Sequence, residues 1–385
     1  MQFRTLLLLL VSAFTLLEAQ ELQLPKNPLK GQIIFEEKKC VECHGIGGYG
    51  GTEGPDLSRE LYFGSVLELA STIWNHTPQM NRKFRQLRME RPQLSHDEML
   101  ELFGFLYYLR YLGEPGGAAK GKKLLETKEC IACHTVGGKG GTIGPDFDQM
   151  QHFASPLYVV QAMWNHGPAM QEKMKTSGIK FPTLSGQDIA DITVYIRQAS
   201  SGISSVRVSP GDPAKGKELF KTKSCNDCHQ VEGKAKKFGP NLSNIELRKG
   251  VTEVASSMWN HGPTMLYSMK KRSINFPRLE GSEMADIIAY LYFLGFEDKP
   301  GDPARGNTLI QTKGCADCHA RDKKGAAPDL SSVERFDSPV QMVTLMWNHA
   351  TEMEDLLISQ NKEWPQFDAK EMRDVYAYLK KATAK

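Results

Sequence analysis

The sequence predicts an all-α chain of four small tandem domains, each of about three to four helices. Three observations predict it. The eight cysteines fall in four identical Cys-x-x-Cys-His motifs, whose first Cys recurs after 90, 95 and 90 residues. A period of that size marks a tandem array and overrides the two or three domains that 385 residues suggest from length alone. Apolar residues late in each repeat follow helical spacing, as at Ile189, Ile192, Tyr195 and Ile196, and no run alternates as a half-buried strand would. Gly- and Pro-rich stretches at 113–117, 200–213 and 295–303 separate the repeats. The expected domains are 28–113, 114–200, 208–296 and 297–385.

Residues 1–20 stand apart. One Arg at position 4 precedes an apolar run from Thr5 to Leu17, followed by Ala19 as a cleavage position. This reads as a signal peptide, which places the mature chain in the periplasm or outside the cell. No later apolar run approaches the length of a membrane span. Lys plus Arg is 48 against 45 Asp plus Glu, a net charge of +3, which excludes a polycation built for nucleic acid.

Within each repeat the elements follow one order. A first helix carries a Gly nine residues before the first Cys, at Gly31, Gly121, Gly216 and Gly306. Asp212-Pro213 and Asp302-Pro303 supply an N-cap and a first-turn Pro. The Cys motif and a Gly-rich loop ending at Pro55, Pro145, Pro240 or Pro328 come next. Then comes Trp-Asn-His, at 74–76, 164–166, 259–261 and 347–349, with a Met four residues on. The last helix begins at a capping box: Ser95/Glu98, Ser185/Asp188, Asp368/Glu371 and the weaker Glu280/Glu283.

The motif has a specific chemistry. Cys40 and Cys43, Cys130 and Cys133, Cys225 and Cys228, and Cys315 and Cys318 each place two thiols about one helical turn apart, where they can add to the two vinyl groups of one haem. The adjacent His44, His134, His229 or His319 then supplies a nitrogen to iron. Three alternatives fit less well. A disulfide would close a very short, strained loop. Zinc needs four ligands, and the His adjacent to each Cys pair is poorly placed to complete a tetrahedron. A thioredoxin-like pair needs a βαβ setting. Four covalently attached haems c are therefore expected.

At this point each repeat resembles a class I cytochrome c domain. The resemblance rests on the Gly-bearing first helix, Cys-x-x-Cys-His, the pairs Gly54-Pro55, Gly144-Pro145 and Gly239-Pro240, a later Met, and a last-helix aromatic at Phe105, Tyr195, Tyr290 or Tyr378. It runs from about residue 28 to the C-terminus. It implies a small helical domain wrapped around haem, with first and last helices crossing where Gly meets the aromatic. It also implies that the Pro carbonyl holds the ring N–H of the proximal His. The fourth repeat departs, with Ala327 before Pro328 and a loop two residues shorter.

Two residues per repeat compete for the second axial position. Pro78, Pro168 and Pro263 suggest that the helix ends near the His and leaves the Met in a loop beyond. On that reading, and on the family's habit, the distal ligands are Met80, Met170, Met265 and Met353. The competing set is His76, His166, His261 and His349. Trp74, Trp164, Trp259 and Trp347 are either donors to a haem propionate or apolar walls. The basic run Arg82, Lys83, Arg85, Arg88 and Arg91 is either a docking patch for an acidic partner or a solvated face.

Haem with both axial positions filled by protein leaves no place for substrate. The expected function is single-electron transfer between a redox-protein donor and acceptor, without enzymatic chemistry of its own. Two alternatives remain: a haem-bearing subunit peripherally associated with a membrane dehydrogenase or oxidase complex, and a multihaem reductase or peroxidase if one distal site is open.

Overall fold

The computed structural model describes residues 28–46, 48–58, 64–111, 115–149, 156–199, 211–231, 238–242, 250–296, 298–319, 327–332, 336 and 338–383. The expected signal peptide lies outside them, as do parts of the linkers. The fold is all-α. The first repeat contains α1 (Pro28–Glu37), α2 (Val66–Leu87) and α3 (His96–Tyr111). The second contains α4 (Ala118–Thr127), α5 (Pro156–Thr176) and α6 (Gly186–Ala199). The third contains α7 (Pro213–Thr222), the short α8 (Cys225–Cys228), α9 (Val251–Lys271) and α10 (Glu283–Phe293). The fourth contains α11 (Pro303–Thr312), α12 (Ala316–His319), α13 (Pro339–Ser359) and α14 (Ala369–Thr383). Two hairpins of two-residue strands, β1 (Gly45–Ile46) with β2 (Tyr49–Gly50) and β3 (Thr135–Val136) with β4 (Lys139–Gly140), shape the first two Gly-rich loops. Alternation over so short a stretch is invisible in the sequence.

The helix starts follow the chemistry of their caps. Asp212 accepts from the backbone N–H of Ala214 and Lys215, and Asp302 from Ala304 and Arg305. The Ser95/Glu98, Ser185/Asp188 and Asp368/Glu371 boxes each close in both directions. Glu280/Glu283 closes in one, through the Glu280 N–H to Glu283. In every repeat the first and last helices cross at the expected Gly. A Cβ on Gly31, Gly121, Gly216 or Gly306 would stand 1.9 to 2.1 Å from a carbonyl oxygen of the last helix, and 2.5 to 2.9 Å from the Cβ of Phe105, Tyr195, Tyr290 or Tyr378.

The prolines do not end the middle helices. Pro78, Pro168 and Pro263 lie inside α2, α5 and α9. An interior proline orphans the carbonyl four residues earlier and costs about 3 kcal/mol in an isolated helix. In α2 that carbonyl belongs to Trp74, and it accepts the indole N–H of Trp364 at 3.0 Å. The buried face of the helix, including Leu67, Ala70, Trp74 and Thr77, does the rest. The His and the Met therefore lie one turn apart on one continuous helix.

The repeats do not stack in chain order. α2 packs on α13 and α14, joining the first repeat to the fourth, and α5 packs on α9 and α10, joining the second to the third. The two pairs meet through Tyr107, whose ring lies 3.8 Å from that of Phe296 and whose carbonyl accepts Tyr292 Oη–H at 2.9 Å. Asp298, beyond the third repeat, caps α2 of the first by accepting from Ser65 Oγ–H and the Leu67 N–H.

Burial pushes the Asp298 carboxyl up to about 6, against the lowering effect of its bonds from Ser65 and Leu67 and of nearby Arg373; Glu68 adds to the rise. Between about pH 4 and 6 the folded chain keeps a proton that an unfolded aspartate has released. Stability must then fall as pH rises through that window and level off above it. The expected loss is on the order of 2 kcal/mol. Urea midpoints measured from pH 4 to 7 should show that slope, and Asp298→Asn should flatten it.

Candidate functional site

Each Cys motif begins at a left-handed residue. Lys39, Glu129, Ser224 and Gly314 have φ of 61°, 58°, 63° and 77°. This turn starts a single helical loop in which the His amide reaches back to the first Cys carbonyl at 2.9 to 3.0 Å. Both sulfurs and the imidazole then serve one cavity. All eight cysteines are free and partly buried. Burial pushes Cys40, Cys130 and Cys225 up to about 11 and raises Cys315. Only the fourth repeat uses Gly at the strained position. Ser224→Gly should therefore stabilise the third repeat by about 0.5–1 kcal/mol, and Gly314→Ala should cost the fourth about as much. Denaturant midpoints of the holoprotein report both.

The proximal histidines sit as the resemblance implies. Nδ1 of His44, His134, His229 and His319 lies 3.1, 2.9, 3.2 and 2.8 Å from the carbonyl of Pro55, Pro145, Pro240 and Pro328. A carbonyl only accepts, so Nδ1 carries the proton and Nε2 keeps its lone pair for a metal. Gly54, Gly144 and Gly239 lie against these rings, where a Cβ would come within 2.4 to 2.6 Å of Cε1. The fourth repeat keeps the bond to Pro328 although Ala327 replaces the Gly. Desolvation lowers His44, His134 and His229 below the usual imidazole range, outweighing the proline bond, and the second histidine of each repeat adds to the fall.

That second histidine is His76, His166, His261 or His349. The ring centroids of His44 and His76 are 6.5 Å apart, and those of His319 and His349 are 6.3 Å apart. In the second and third repeats, His166 and His261 stand close enough to act electrostatically on His134 and His229. His349 turns its Nδ1 to the Leu345 carbonyl, which frees Nε2. Met80 and Met170 lie one helical turn further along the same helices and line the same cavities. Met265 and Met353 hold the equivalent places on α9 and α13.

The cavity of the first repeat measures about 900 Å³ and that of the second about 430 Å³. Both fall in the range of cofactor sites. Each is lined by two cysteines, the proximal His and a second His, His76 or His166. Apolar side chains such as Phe35, Leu102 and Leu106, or Leu125, Ile189 and Ile196, make much of the remainder. A flat apolar macrocycle with two vinyl groups and a central metal fits this donor set. Arg82, Lys83 and Lys38 at the first cavity suit the acidic edge of such a group. Among the described residues, no three His, Cys, Asp or Glu side chains converge as a site for a free metal ion.

The tryptophans serve in part as the expected apolar walls, since Trp259 and Trp347 line the cavities of the paired repeats, but their N–H groups are committed to the fold. Each indole N–H donates to a backbone carbonyl of the paired repeat: Trp74 to Pro365, Trp347 to Pro92, Trp164 to Pro277 and Trp259 to Pro182, at 2.7 to 2.8 Å. The neighbouring asparagines are equally reciprocal. Asn75, Asn348, Asn165 and Asn260 bond both the N–H and the C=O of Phe367, Leu94, Leu279 and Leu184. The receiving segments, Arg91-Pro-Gln-Leu94, Phe181-Pro-Thr-Leu184, Phe276-Pro-Arg-Leu279 and Trp364-Pro-Gln-Phe367, recur in phase, a signal present in the sequence and missed there. Their first residue covers the partner's indole: Phe181 lies 4.4 Å from Trp259, Phe276 4.5 Å from Trp164, Trp364 4.3 Å from Trp74, and the Arg91 guanidinium 3.7 Å from Trp347.

Part of the basic run is spent on this interface. Arg85 pairs with Glu354 and Asp355, and Arg91 donates to Asn81. Lys83 pairs with Glu53 within its own repeat. Another recurring set also escaped the sequence reading. Lys38, Lys128, Lys223 and Lys313, two residues before each first Cys, donate to the carbonyls of Gln93, Thr183, Arg278 and Gln366. They tie the Cys turn to the loop that precedes the last helix.

The cytochrome c family model matches residues 118–200, 213–294 and 303–383. The chain is 31% identical over 119 residues to the cbb3-type cytochrome c oxidase subunit FixP of Bradyrhizobium diazoefficiens, across 29% of this chain and 40% of that subunit. It is 38% identical over 103 residues to a cytochrome c of Theileria annulata, 22% of this chain and 89% of the relative. For a cytochrome c of Ginkgo biloba the figures are 36% over 100 residues, 21% and 88%. The chain thus spans well under two thirds of the oxidase subunit and most of the single-domain relatives. No solved structure matches. No helix among the described residues is long and apolar enough to cross a membrane.

Proposed function

Because the chain belongs to the cytochrome c family, we propose that it is an exported tetrahaem electron carrier, not an enzyme, whose four irons are each held between two histidines. One observation carries the reading: the histidine of Trp-Asn-His lies beside that of the Cys motif, ring to ring in the first and fourth repeats and close enough to act electrostatically in the second and third. An imidazole nitrogen about 2.0 Å from a metal puts its ring centroid roughly 3.2 Å away, so two rings trans on one metal have centroids ~6.4 Å apart. The separations of 6.5 and 6.3 Å match that spacing. The family model covers three repeats. The first repeat earns its haem from its own Cys40, Cys43 and His44, the Pro55 bond and the cavity around them.

When bound, haem supplies a one-electron ferric/ferrous couple. The residues do the rest. The cysteines would hold its rim, the proline carbonyls would keep the tautomer of the adjacent His, and the two histidines would hold the iron. Closed positions leave no site for substrate, which favours electron transfer between redox proteins over a reductase or peroxidase. The FixP relative supports a second reading of the same chemistry, as a peripheral haem subunit of a membrane oxidase complex.

The competing ligand set is Met80, Met170, Met265 and Met353. The oxidised absorption spectrum of the holoprotein decides between them. The expected protein carries four haems per chain, is low-spin, and lacks the weak Met-to-ferric-iron band at the red edge. That band at an intensity fitting four haems would give the distal positions to the methionines.

A further inference from the structure

We propose that the chain is built as two two-haem units, first with fourth and second with third, each sealed by tryptophans that one repeat inserts into the wall of its partner's haem cavity. The inference rests on the reading that haem fills these cavities. Trp259, from the third repeat, lines the cavity that holds Cys130, Cys133 and His134 of the second. Trp347, from the fourth repeat, lines the cavity that holds Cys40, Cys43 and His44 of the first. Their sequence equivalents Trp164 and Trp74 make the same indole bonds in the opposite sense.

Neither cavity is therefore complete within its own repeat. The wall is also the interface. The second and third repeats meet across a thin apolar layer in which Trp164, Phe276, Trp259 and Phe181 stack in two pairs. The layer is fixed in register by the two-way amide bonds of Asn165 and Asn260. In the outer unit the bonds of Asn75 and Asn348 are joined by the buried Glu354, which takes Asn81 and Arg85 of the first repeat. The other chain neighbours lack this joint: the Trp-Asn clamp links neither the first repeat to the second nor the third to the fourth. Residues distant in sequence thus set which haem sites are close.

The test is circular dichroism of the full holoprotein in the Soret region, where two nearby haems split each other's transition into a two-signed couplet. The wild type should show a couplet. Asn165→Ala with Asn260→Ala should keep four haems and lose about half of it, as should Asn75→Ala with Asn348→Ala. All four changes together should remove nearly all of it. Trp259→Phe, which keeps a ring in the wall but cannot donate to Pro182, guards against double variants that fail to fold. It should perturb the Soret band of one haem in the second repeat, identified by its loss in a Cys130→Ala/Cys133→Ala background, while the third repeat's own haem is unchanged. A wild-type chain with four haems and no couplet overturns the pairing alone. So does a couplet indifferent to the Asn changes, or a Trp259→Phe effect confined to the third repeat's haem. A haem count below four would instead strike the proposed function.

Discussion

Reduced protein carrying His166→Ala is expected to bind one carbon monoxide per chain, where the unsubstituted protein binds none at neutral pH. The argument is geometric. His134 keeps its Pro145 bond and its place in the lining of the second cavity, which His166 also lines. On the proposed bis-histidine reading, removing the imidazole would open one iron in four. Met170 is the expected replacement, one turn along α5 and lining the same cavity. If it swings in, carbon monoxide is excluded, and the oxidised variant gains the Met-to-iron band at a quarter of the intensity of a fully Met-ligated protein. Either result makes His166 the resident ligand. Unchanged spectra together with no uptake would remove it, and Met170→Ala should then be the variant that binds the gas.

Gly216→Ala is expected to be the most damaging single methyl group in the chain. Its Cβ would lie 1.9 Å from the Asp286 carbonyl oxygen and 2.8 Å from the Tyr290 Cβ. Both obstacles belong to a buried helix, α10, so no side-chain rotation relieves them. The two helices must part, and the cross-tie from Asp286 to the Asp212 N–H at 2.7 Å goes with them. A cost of about 3 kcal/mol or more follows from overpacking plus the lost buried bond. Denaturant unfolding of the holoprotein, followed at the Soret band, should show the third repeat melting early. Gly262→Ala is the control. It lies in α9 with open space at its Cβ, and should stay within about 1 kcal/mol of wild type. Similar losses from both substitutions would count against the crossing as the cause.

Much of this architecture was legible because its determinants are local or strictly periodic. Cys-x-x-Cys-His, the Asp-Pro helix starts and the capping boxes act within a few residues, and the repeat multiplies each signal by four. The Gly that meets Phe105 or Tyr195 was legible only through resemblance, since the residues that meet there lie far apart in sequence. Pro78 misled for a related reason. Its local rule is sound, but the carbonyl it orphans is satisfied by Trp364, which no local window contains. The tryptophans were singled out by their recurrence and read as propionate donors or apolar walls, and the asparagines beside them were given no role. Their partners are backbone carbonyls in another repeat, and a backbone atom leaves no mark on a sequence pattern. The Arg91, Phe181, Phe276 and Trp364 segments did leave one: each proline stands eighteen residues beyond its own repeat's Trp.

The nested clamps also dictate an order of assembly. Trp259 and Trp164 reach carbonyls 77 and 113 residues away, whereas Trp347 and Trp74 must find theirs across 255 and 291 residues. Ring closure grows costlier with span, by about 0.6 kcal/mol per doubling for a flexible chain. The inner two repeats can therefore join as soon as the third has emerged, and their union shortens the effective loop that the outer two must close. The first repeat, made earliest, waits longest for its mate. During that wait its cavity lacks the wall that Trp347 supplies, so the topology delays the seal on the oldest site until the last repeat has been delivered.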